Sequence, residues 1–291
     1  MAISFTPIMP GFGAAVSGVD LRAVTDAQFD ALLEGFHRFQ LLLFRDQAIE
    51  PAHHVAFAKR FPHDPSPTNY KEFLVPGHPE VHRLGNVVEN GAPIAMLVPL
   101  GIERHTDGTS RQLPCVATLL YAVETPSIGG ETLFASGYRA FDLLDAETRA
   151  LLPTLTVRYN TTVLDDEIEA ATRGSVHARR ARDEFDDVLH PVARVHPATG
   201  RTALWATPRE MRAIEGWSRK ARLDFVTRIM ALGTAEPYVY AHKWRPGDLM
   251  VWDNRCVLHS TTPYTYAKER RLMHRVGLNG PSPVPPPSAA R

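Results

Sequence analysis

The chain has only two cysteines, Cys115 and Cys256, among its 291 residues. Two cysteines exclude a disulfide scaffold and a zinc site built mainly from thiolates. The 32 basic and 32 acidic side chains cancel to a formal net charge of zero, so no excess of one sign attracts nucleic acid or an anionic membrane. We therefore expect neither as a partner.

Long hydrophobic runs and nucleotide-binding motifs are also missing. No apolar stretch approaches the roughly 20 residues that a membrane-spanning helix needs, and the longest, such as Leu41–Phe44, have the length of a strand. Residues 1–13 lack the charged start and apolar run of a secretory signal, so we expect a soluble, cytoplasmic protein. The absence of Gly-x-Gly-x-x-Gly and P-loop patterns argues against dinucleotide and nucleotide-phosphate folds.

The chain has the composition of a globular protein, with 44% hydrophobic and 22% charged residues. No internal repeat or linker divides it, so we expect one domain over residues 1–279. Residues 280–291 are rich in proline and poor in apolar bulk, which is typical of a disordered tail.

Strand patterns outnumber helical patterns, which favours a mainly β fold with flanking helices over an alternating βαβ design. Helices are predicted over Asp26–Phe39 (capped by Thr25 with Gln28), from Pro51, after Ser136 and over Ser218–Leu232. Strands are predicted at Leu41–Phe44, Val116–Ala122, Thr154–Tyr159, Arg201–Ala206, Tyr238–Trp244, Leu249–Trp252 and Leu272–Leu278.

The tripeptide His105-Thr106-Asp107 is the most informative short motif. In a strand, side chains two residues apart lie on the same face, so the imidazole and the carboxylate converge. A second histidine from a distant strand, for which His259 is the candidate, would complete a facial set of two histidines and one carboxylate that suits Fe(II). Taken alone, the pattern also fits a surface turn or a hydrogen-bonded pair.

A second motif is the basic run Arg270-Arg271-Leu272-Met273-His274-Arg275. If it forms a strand, Arg271 and Arg275 share one face with Met273. Two guanidinium groups on an inward face are costly unless each meets an anion, and arginine suits bidentate recognition of a carboxylate. A solvated edge strand is the alternative reading of this run.

Several segments together resemble the taurine dioxygenase family, which includes the 2,4-dichlorophenoxyacetate dioxygenases and depends on Fe(II) and 2-oxoglutarate. The resemblance runs in order from about Gly11 to Asn279. The segments that carry it are His105-Thr106-Asp107, Gly129-Gly130-Glu131-Thr132, His190-Pro-Val-Ala-Arg-Val-His-Pro-Ala-Thr-Gly-Arg201, Trp252-Asp-Asn-Arg-Cys-Val-Leu-His259 and Arg271-Leu-Met-His-Arg275. The resemblance implies a double-stranded β-helix, or jelly roll, with the site between its two sheets.

The resemblance also implies roles for single residues. His105, Asp107 and His259 would be the iron ligands, and Thr132 and Arg271 would bind the distal carboxylate of 2-oxoglutarate. Arg275 would meet an anionic group of the primary substrate, while His63 and Tyr70 lie on a loop, residues 61–70, that could reach the substrate. The family further suggests a homodimer or homotetramer.

The implied activity is hydroxylation of a small organic anion with O2 as cosubstrate and release of succinate and CO2. An aryloxyalkanoate, alkyl sulfate or sulfonate is the expected substrate, although Gly101 stands where the taurine enzyme has a substrate-binding asparagine. The same chemistry on an amino-acid-like or natural-product acid is an alternative. A catalytically silent metal-binding jelly roll, a halogenase and a zinc hydrolase are further readings, and Asp107 argues against halogenation.

Overall fold

A computed structural model describes residues 2–65, 71–97, 104–160, 187–208 and 210–280. All four predicted helices are present. The described helices are α1 (Asp26–Phe39), α2 (Pro51–Ala58), α3 (Gly137–Asp142), α4 (Ala146–Leu151) and α5 (Arg219–Gly233), with short 3-10 helices at Lys71–Phe73 and Leu152–Thr154. Thr25 and Gln28 form the predicted capping box of α1, whereas α4, capped by Asp145, was not predicted.

Strands make up the larger part of the fold. The described strands are β1 (Ser4–Met9), β2 (Phe12–Ser17), β3 (Leu41–Phe44), β4 (Leu74–Val75), β5 (His78–Gly85), β6 (Val88–Glu89), β7 (Ala92–Pro93), β8 (Cys115–Glu124), β9 (Thr132–Ser136), β10 (Thr156–Tyr159), β11 (Val188–Pro191), β12 (Ala193–Val195), β13 (Thr202–Leu204), β14 (Met211–Ile214), β15 (Val239–His242), β16 (Leu249–Asp253), β17 (Val257–Thr261) and β18 (Leu272–Asn279). The predicted strands are all found, some with shifted ends, so the fold is mainly β with helices.

Two sheets determine where the candidate site lies. The larger has eight strands in the order β1-β2-β3-β16-β8-β18-β5-β4, and the smaller has the order β15-β9-β17. Within the larger sheet, β8 lies between β16 and β18 and pairs antiparallel with both. Strands from the beginning and the end of the chain are therefore neighbours.

Alternating side chains of the larger sheet pack on two different cores. On β16, Leu249 and Val251 belong to the apolar cluster that also contains Phe29 and Phe36 of α1. Met250 and Trp252 belong to a second cluster with Phe134 of the smaller sheet. Thus α1 and α2 cover one face of the larger sheet. The smaller sheet packs on the other face, where the ring of Phe134 contacts that of Trp252. This second face is the inner face of the larger sheet.

Among the described residues, no helix has both the length and the apolar character needed to cross a membrane. Of the predicted tail, only Gly280 is described, so residues 281–291 lie outside the described part of the chain.

Candidate functional site

Two histidines from distant parts of the chain are joined through their backbones. The N–H of His105 donates to the carbonyl of His259 at 2.9 Å, and the N–H of His259 donates back at 2.8 Å. Their ring centroids lie 4.3 Å apart. Because His259 belongs to β17, an outer strand of the smaller sheet, this bridge fixes both imidazoles at the edge of that sheet.

The carboxylate of Asp107 completes a cluster with the two imidazoles. Its Oδ1 atom lies 3.8 Å from Nε2 of His105 and 3.7 Å from Nε2 of His259. One donor atom from each of the three residues lies within 4.8 Å of the other two. Two imidazoles and one carboxylate that bind from one side leave neighbouring positions of a metal open, which is the donor set of non-haem Fe(II) oxygenases. The structure therefore brings together the three ligands predicted from the sequence.

Strand alternation, the reason offered from the sequence for the convergence of His105 and Asp107, is not what the structure shows. Only His105 pairs, through its single bridge to His259, and Asp107 begins a turn. Gly108 follows with φ = 77°, and a Cβ at this position would lie 2.7 Å from the backbone nitrogen of Cys115. The convergence of the two side chains therefore comes from a tight turn packed against the start of β8, not from strand alternation.

Burial and neighbouring charges set the protonation states that a metal site needs. Burial lowers the pKa of His259 to about 3, and the neighbouring His105 acts in the same direction, so the His259 ring is neutral near pH 7. Burial alone would raise the pKa of Asp107, but Arg275, His259 and His105 together outweigh burial and hold this pKa well below its usual range. A neutral imidazole and an ionised carboxylate are the forms that bind metals.

Arg275 lies beside this cluster, on the inner face of β18. Its Nη2 atom donates to Oδ2 of Asp107 at 2.9 Å and lies 3.3 Å from the hydroxyl of Thr118. Gly277, two residues further along β18, leaves room for the guanidinium group, because a Cβ there would lie 3.2 Å from Nη1 of Arg275. Arg275, predicted to meet the substrate, thus contacts a predicted metal ligand.

Arg271 lies immediately before β18 and is only 5% exposed. Its backbone N–H donates to Oδ1 of Asn86 at 2.8 Å, but its side-chain Nε atom has no hydrogen-bond partner among the described residues. Burial lowers the pKa of Arg271, while Tyr264 and Tyr266 act in the opposite direction. A buried guanidinium group with an unused donor is costly unless an anion binds there.

Thr132, at the start of β9, is 2% exposed. Its hydroxyl oxygen accepts from the indole N–H of Trp244 at 2.9 Å. A hydroxyl that already accepts at its oxygen can donate its own hydrogen to a second group. Trp244 is itself buried, and its indole N–H orients this hydroxyl.

Of the other predicted substrate residues, only His63 belongs to the described part of the chain, and none of the charges that act on it belongs to the cluster. The charges that act on His63 are those of Arg255, Asp253, His37 and Asp64, and burial is the main cause of its lowered pKa. Tyr70 lies outside the described residues.

Sequence reasoning missed a carboxylate beside the cluster. Glu210 accepts a hydrogen bond from the hydroxyl of Thr109, two residues after Asp107. Thr207, three residues before Glu210, also contacts the segment that carries His105 and Asp107, because its hydroxyl donates to the carbonyl of Thr106 at 3.1 Å. Burial raises the pKa of Glu210, while Thr109 and His105 act against burial. No motif surrounds Glu210 in the sequence, so nothing there predicted its position.

The fold and the cluster together define a class of protein: a mainly β protein that carries a candidate metal site of two histidines and one carboxylate. The family model described as "Taurine catabolism dioxygenase TauD, TfdA family" matches residues 4–276. The chain belongs to this family, which confirms the resemblance inferred from the motifs.

Individual relatives match over nearly their whole length. The chain is 30% identical to an (S)-phenoxypropionate/alpha-ketoglutarate-dioxygenase of Sphingobium herbicidovorans, covering 94% of each chain. It is 29% identical to a pentalenolactone F synthase of Streptomyces arenae, covering 93% of each chain. Among solved structures, AAD-2 in complex with Mn(II) and N-oxalylglycine matches with a TM-score of 0.77 and 26% identity, covering 97% of this chain and 99% of the other.

Proposed function

We propose that the chain is an Fe(II)- and 2-oxoglutarate-dependent dioxygenase that hydroxylates a small organic anion and releases succinate and CO2. The observation that carries this proposal is the convergence of His105, Asp107 and His259 at the edge of the smaller sheet. The lowered pKa values of His259 and Asp107 favour the forms of these two side chains that bind metals. Membership of a dioxygenase family and the alpha-ketoglutarate dependence of a relative support the same chemistry. The three residues would hold the metal.

Fe(II) bound at this site, with 2-oxoglutarate and O2 as cosubstrates, would supply the oxidative chemistry. The buried Arg271 would pair with the distal carboxylate of 2-oxoglutarate, since its Nε donor has no described partner. Thr132 would donate its hydroxyl hydrogen to the same carboxylate, because Trp244 already donates to the hydroxyl oxygen.

The rings of Trp252 and Phe134, centred 4.8 and 6.2 Å from that of His259, exclude water from that side of the site.

For the primary substrate we propose an aryloxyalkanoate, an alkyl sulfate or a sulfonate, bound through Arg275. Arginine has five N–H donors, and the described contacts of this side chain to Asp107, Thr118 and Cys115 all use Nη2. Nη1 and Nε would then meet the substrate anion. His63 and Tyr70 stay proposals as substrate contacts, supported by their place in the loop predicted from the sequence over residues 61–70.

A second candidate is the same chemistry on an amino-acid-like or natural-product acid. Glu210 favours it, since a carboxylate beside the cluster suits a substrate that carries an ammonium or hydroxyl group as well as an anion. The similarity to a pentalenolactone F synthase points in the same direction. A silent metal-binding protein has less support, because it would have no use for the buried Arg271.

The finer architecture is also a proposal. Two facing sheets that share one apolar cluster agree with a double-stranded β-helix formed within residues 1–279. A cytoplasmic location and a homodimeric or homotetrameric state stay predictions from the sequence.

The test is a succinate-release screen over small anions, with Fe(II), 2-oxoglutarate, ascorbate and O2 present. Aryloxyalkanoates, alkyl sulfates and sulfonates form one arm, and amino acids and hydroxy acids form the other. We expect the compounds of one arm to raise the rate of succinate formation above the rate without substrate. Glu210→Gln should lower the activity on amino acids and hydroxy acids and leave the activity on the compounds of the first arm unchanged. The absence of 2-oxoglutarate-dependent succinate with any compound, together with no metal binding, would contradict the proposal.

A further inference from the structure

The second oxygen of Asp107 is held by two donors. Thr118, on the inner face of β8, donates its hydroxyl hydrogen to Oδ2 at 2.6 Å, and Arg275 donates to the same atom at 2.9 Å. Oδ1 is the oxygen that faces Nε2 of both His105 and His259. The two oxygens of one carboxylate therefore have different surroundings.

A chain of hydrogen bonds fixes the direction in which Thr118 donates. The indole N–H of Trp252 can only donate, and it donates to Oδ1 of Asn254 at 2.9 Å. The amide NH2 group of Asn254 must then point the other way, where it donates to the Thr118 hydroxyl oxygen at 2.9 Å. With its oxygen accepting from Asn254, the Thr118 hydroxyl has its hydrogen available for Asp107.

The strand pairing explains why this hydroxyl reaches Asp107. Gly277 on β18 lies opposite Thr118 on β8, and Arg275 lies opposite Leu120. Because Gly277 has no side chain, the Arg275 guanidinium can approach Thr118 and Asp107. Asn254 also contacts the backbone of Asp107 itself, since its Oδ1 accepts from the N–H of Asp107 at 3.4 Å.

We propose that Thr118, oriented by Asn254 and Trp252, is a positioning residue that makes Asp107 bind the metal through Oδ1 alone. A carboxylate that bound through both oxygens would occupy a further coordination position, which the cosubstrates of an oxygenase need. This inference rests on the proposed function, because it assumes a metal between His105, Asp107 and His259.

The test compares Thr118→Val, which keeps the branched shape and removes the hydroxyl, with Thr118→Ser, which keeps the hydroxyl. The probe is Mn(II) alone, and its dissociation constant is obtained from the electron paramagnetic resonance signal of unbound Mn(II). We expect Thr118→Val to weaken Mn(II) binding about 10-fold or more, as is usual when a partner of a metal ligand is lost, and Thr118→Ser to stay within about threefold of the unaltered protein.

A spectroscopic measurement separates positioning from a general loss of structure. The complex of the protein with Fe(II) and 2-oxoglutarate, formed without O2, is expected to have a charge-transfer absorption band in the visible range. This band should move in wavelength in Thr118→Val and keep its position in Thr118→Ser. A purely structural defect would lower the amount of folded protein and leave the band of the folded fraction in place. If Thr118→Val is not recovered folded, Thr118→Ala serves for both measurements.

The outcomes distinguish this inference from the proposed function. If His105→Ala loses Mn(II) while Thr118→Val binds as the unaltered protein does, with an unmoved band, the role of Thr118 is wrong and the metal site stands. If His105→Ala binds Mn(II) normally, the ligand assignment itself is wrong, and the proposed function fails with it.

Discussion

At the scale of single residues, the candidate site contains two kinds of buried charge. Asp107 has its Oδ2 bonded to Thr118 and Arg275, so its charge is compensated within the protein. Arg271 has a buried Nε without a described partner. A compensated carboxylate suits a ligand that must keep one geometry, whereas an uncompensated guanidinium suits the capture of an anion.

Replacement of Arg271 by alanine should raise the concentration of 2-oxoglutarate needed for half-saturation. Loss of a charge-assisted hydrogen bond of about 1.5–3 kcal/mol corresponds to a factor of about 10 to 150 in affinity. Anaerobic titration of the Fe(II)-loaded protein with 2-oxoglutarate measures this change. The matched control is Arg270→Ala, because Arg270 is exposed and pairs with Glu124 at 2.7 Å. Equal weakening in both variants would contradict the role of Arg271.

At the scale of elements, the turn that begins at Asp107 depends on the close approach of Gly108 to β8. The positive φ of Gly108 was not predicted, because sequence reasoning explained this segment by strand alternation. The short sequence His-x-Asp fits a turn as well as a strand, and only the packing of Gly108 against Cys115 decides between them.

Gly108→Ala should weaken Mn(II) binding about 10-fold or more, because the added Cβ clashes with the backbone of β8 and displaces Asp107. Gly91→Ala is the matched control: its φ is 78°, but a Cβ there meets nothing within 4 Å. Both variants should lose roughly 1 kcal/mol of stability from the left-handed backbone. Calorimetric or resonance titrations with Mn(II) give the affinities, and normal binding by Gly108→Ala would contradict this account of the turn.

Local signals predicted the elements far better than the contacts between them. The capping residues Thr25 and Gln28 correctly predicted the start of α1. Strand alternation correctly predicted that Met273 and Arg275 of β18 lie on one face of the sheet. Thr118 and Asn254 lie 136 residues apart, and their hydrogen bond depends on strand pairing that no local pattern specifies. The residues proposed as metal ligands were predicted from motifs that resemble a family, whereas Glu210, which belongs to no motif, was missed.

At the scale of the whole molecule, the candidate metal would join two distant parts of the chain. His105 and Asp107 precede β8, whereas His259 lies on β17, and their only described backbone link is the single bridge between His105 and His259. A ligand that binds only the folded state stabilises it by mass action.

Mn(II) at about 100 times its dissociation constant should therefore raise the thermal midpoint of unfolding by roughly 4 °C. Asp107→Ala should lose this increase, since one of the three proposed ligands is gone. Asp142→Ala is the control, because Asp142 is 61% exposed and pairs with Arg201 at the surface. Differential scanning calorimetry with and without Mn(II) makes the comparison, and an equal increase in Asp107→Ala would place the metal elsewhere.

The most direct test of the central claim is the visible band that forms when Fe(II) and 2-oxoglutarate bind together without O2. The protein should develop this band, and His105→Ala, Asp107→Ala and His259→Ala should each lose or strongly weaken it while they unfold at nearly the same temperature as the metal-free protein. On admission of O2 and a substrate, only the unaltered protein should form succinate at an appreciable rate. A normal band and near-normal succinate formation in Asp107→Ala would contradict the assignment of this site.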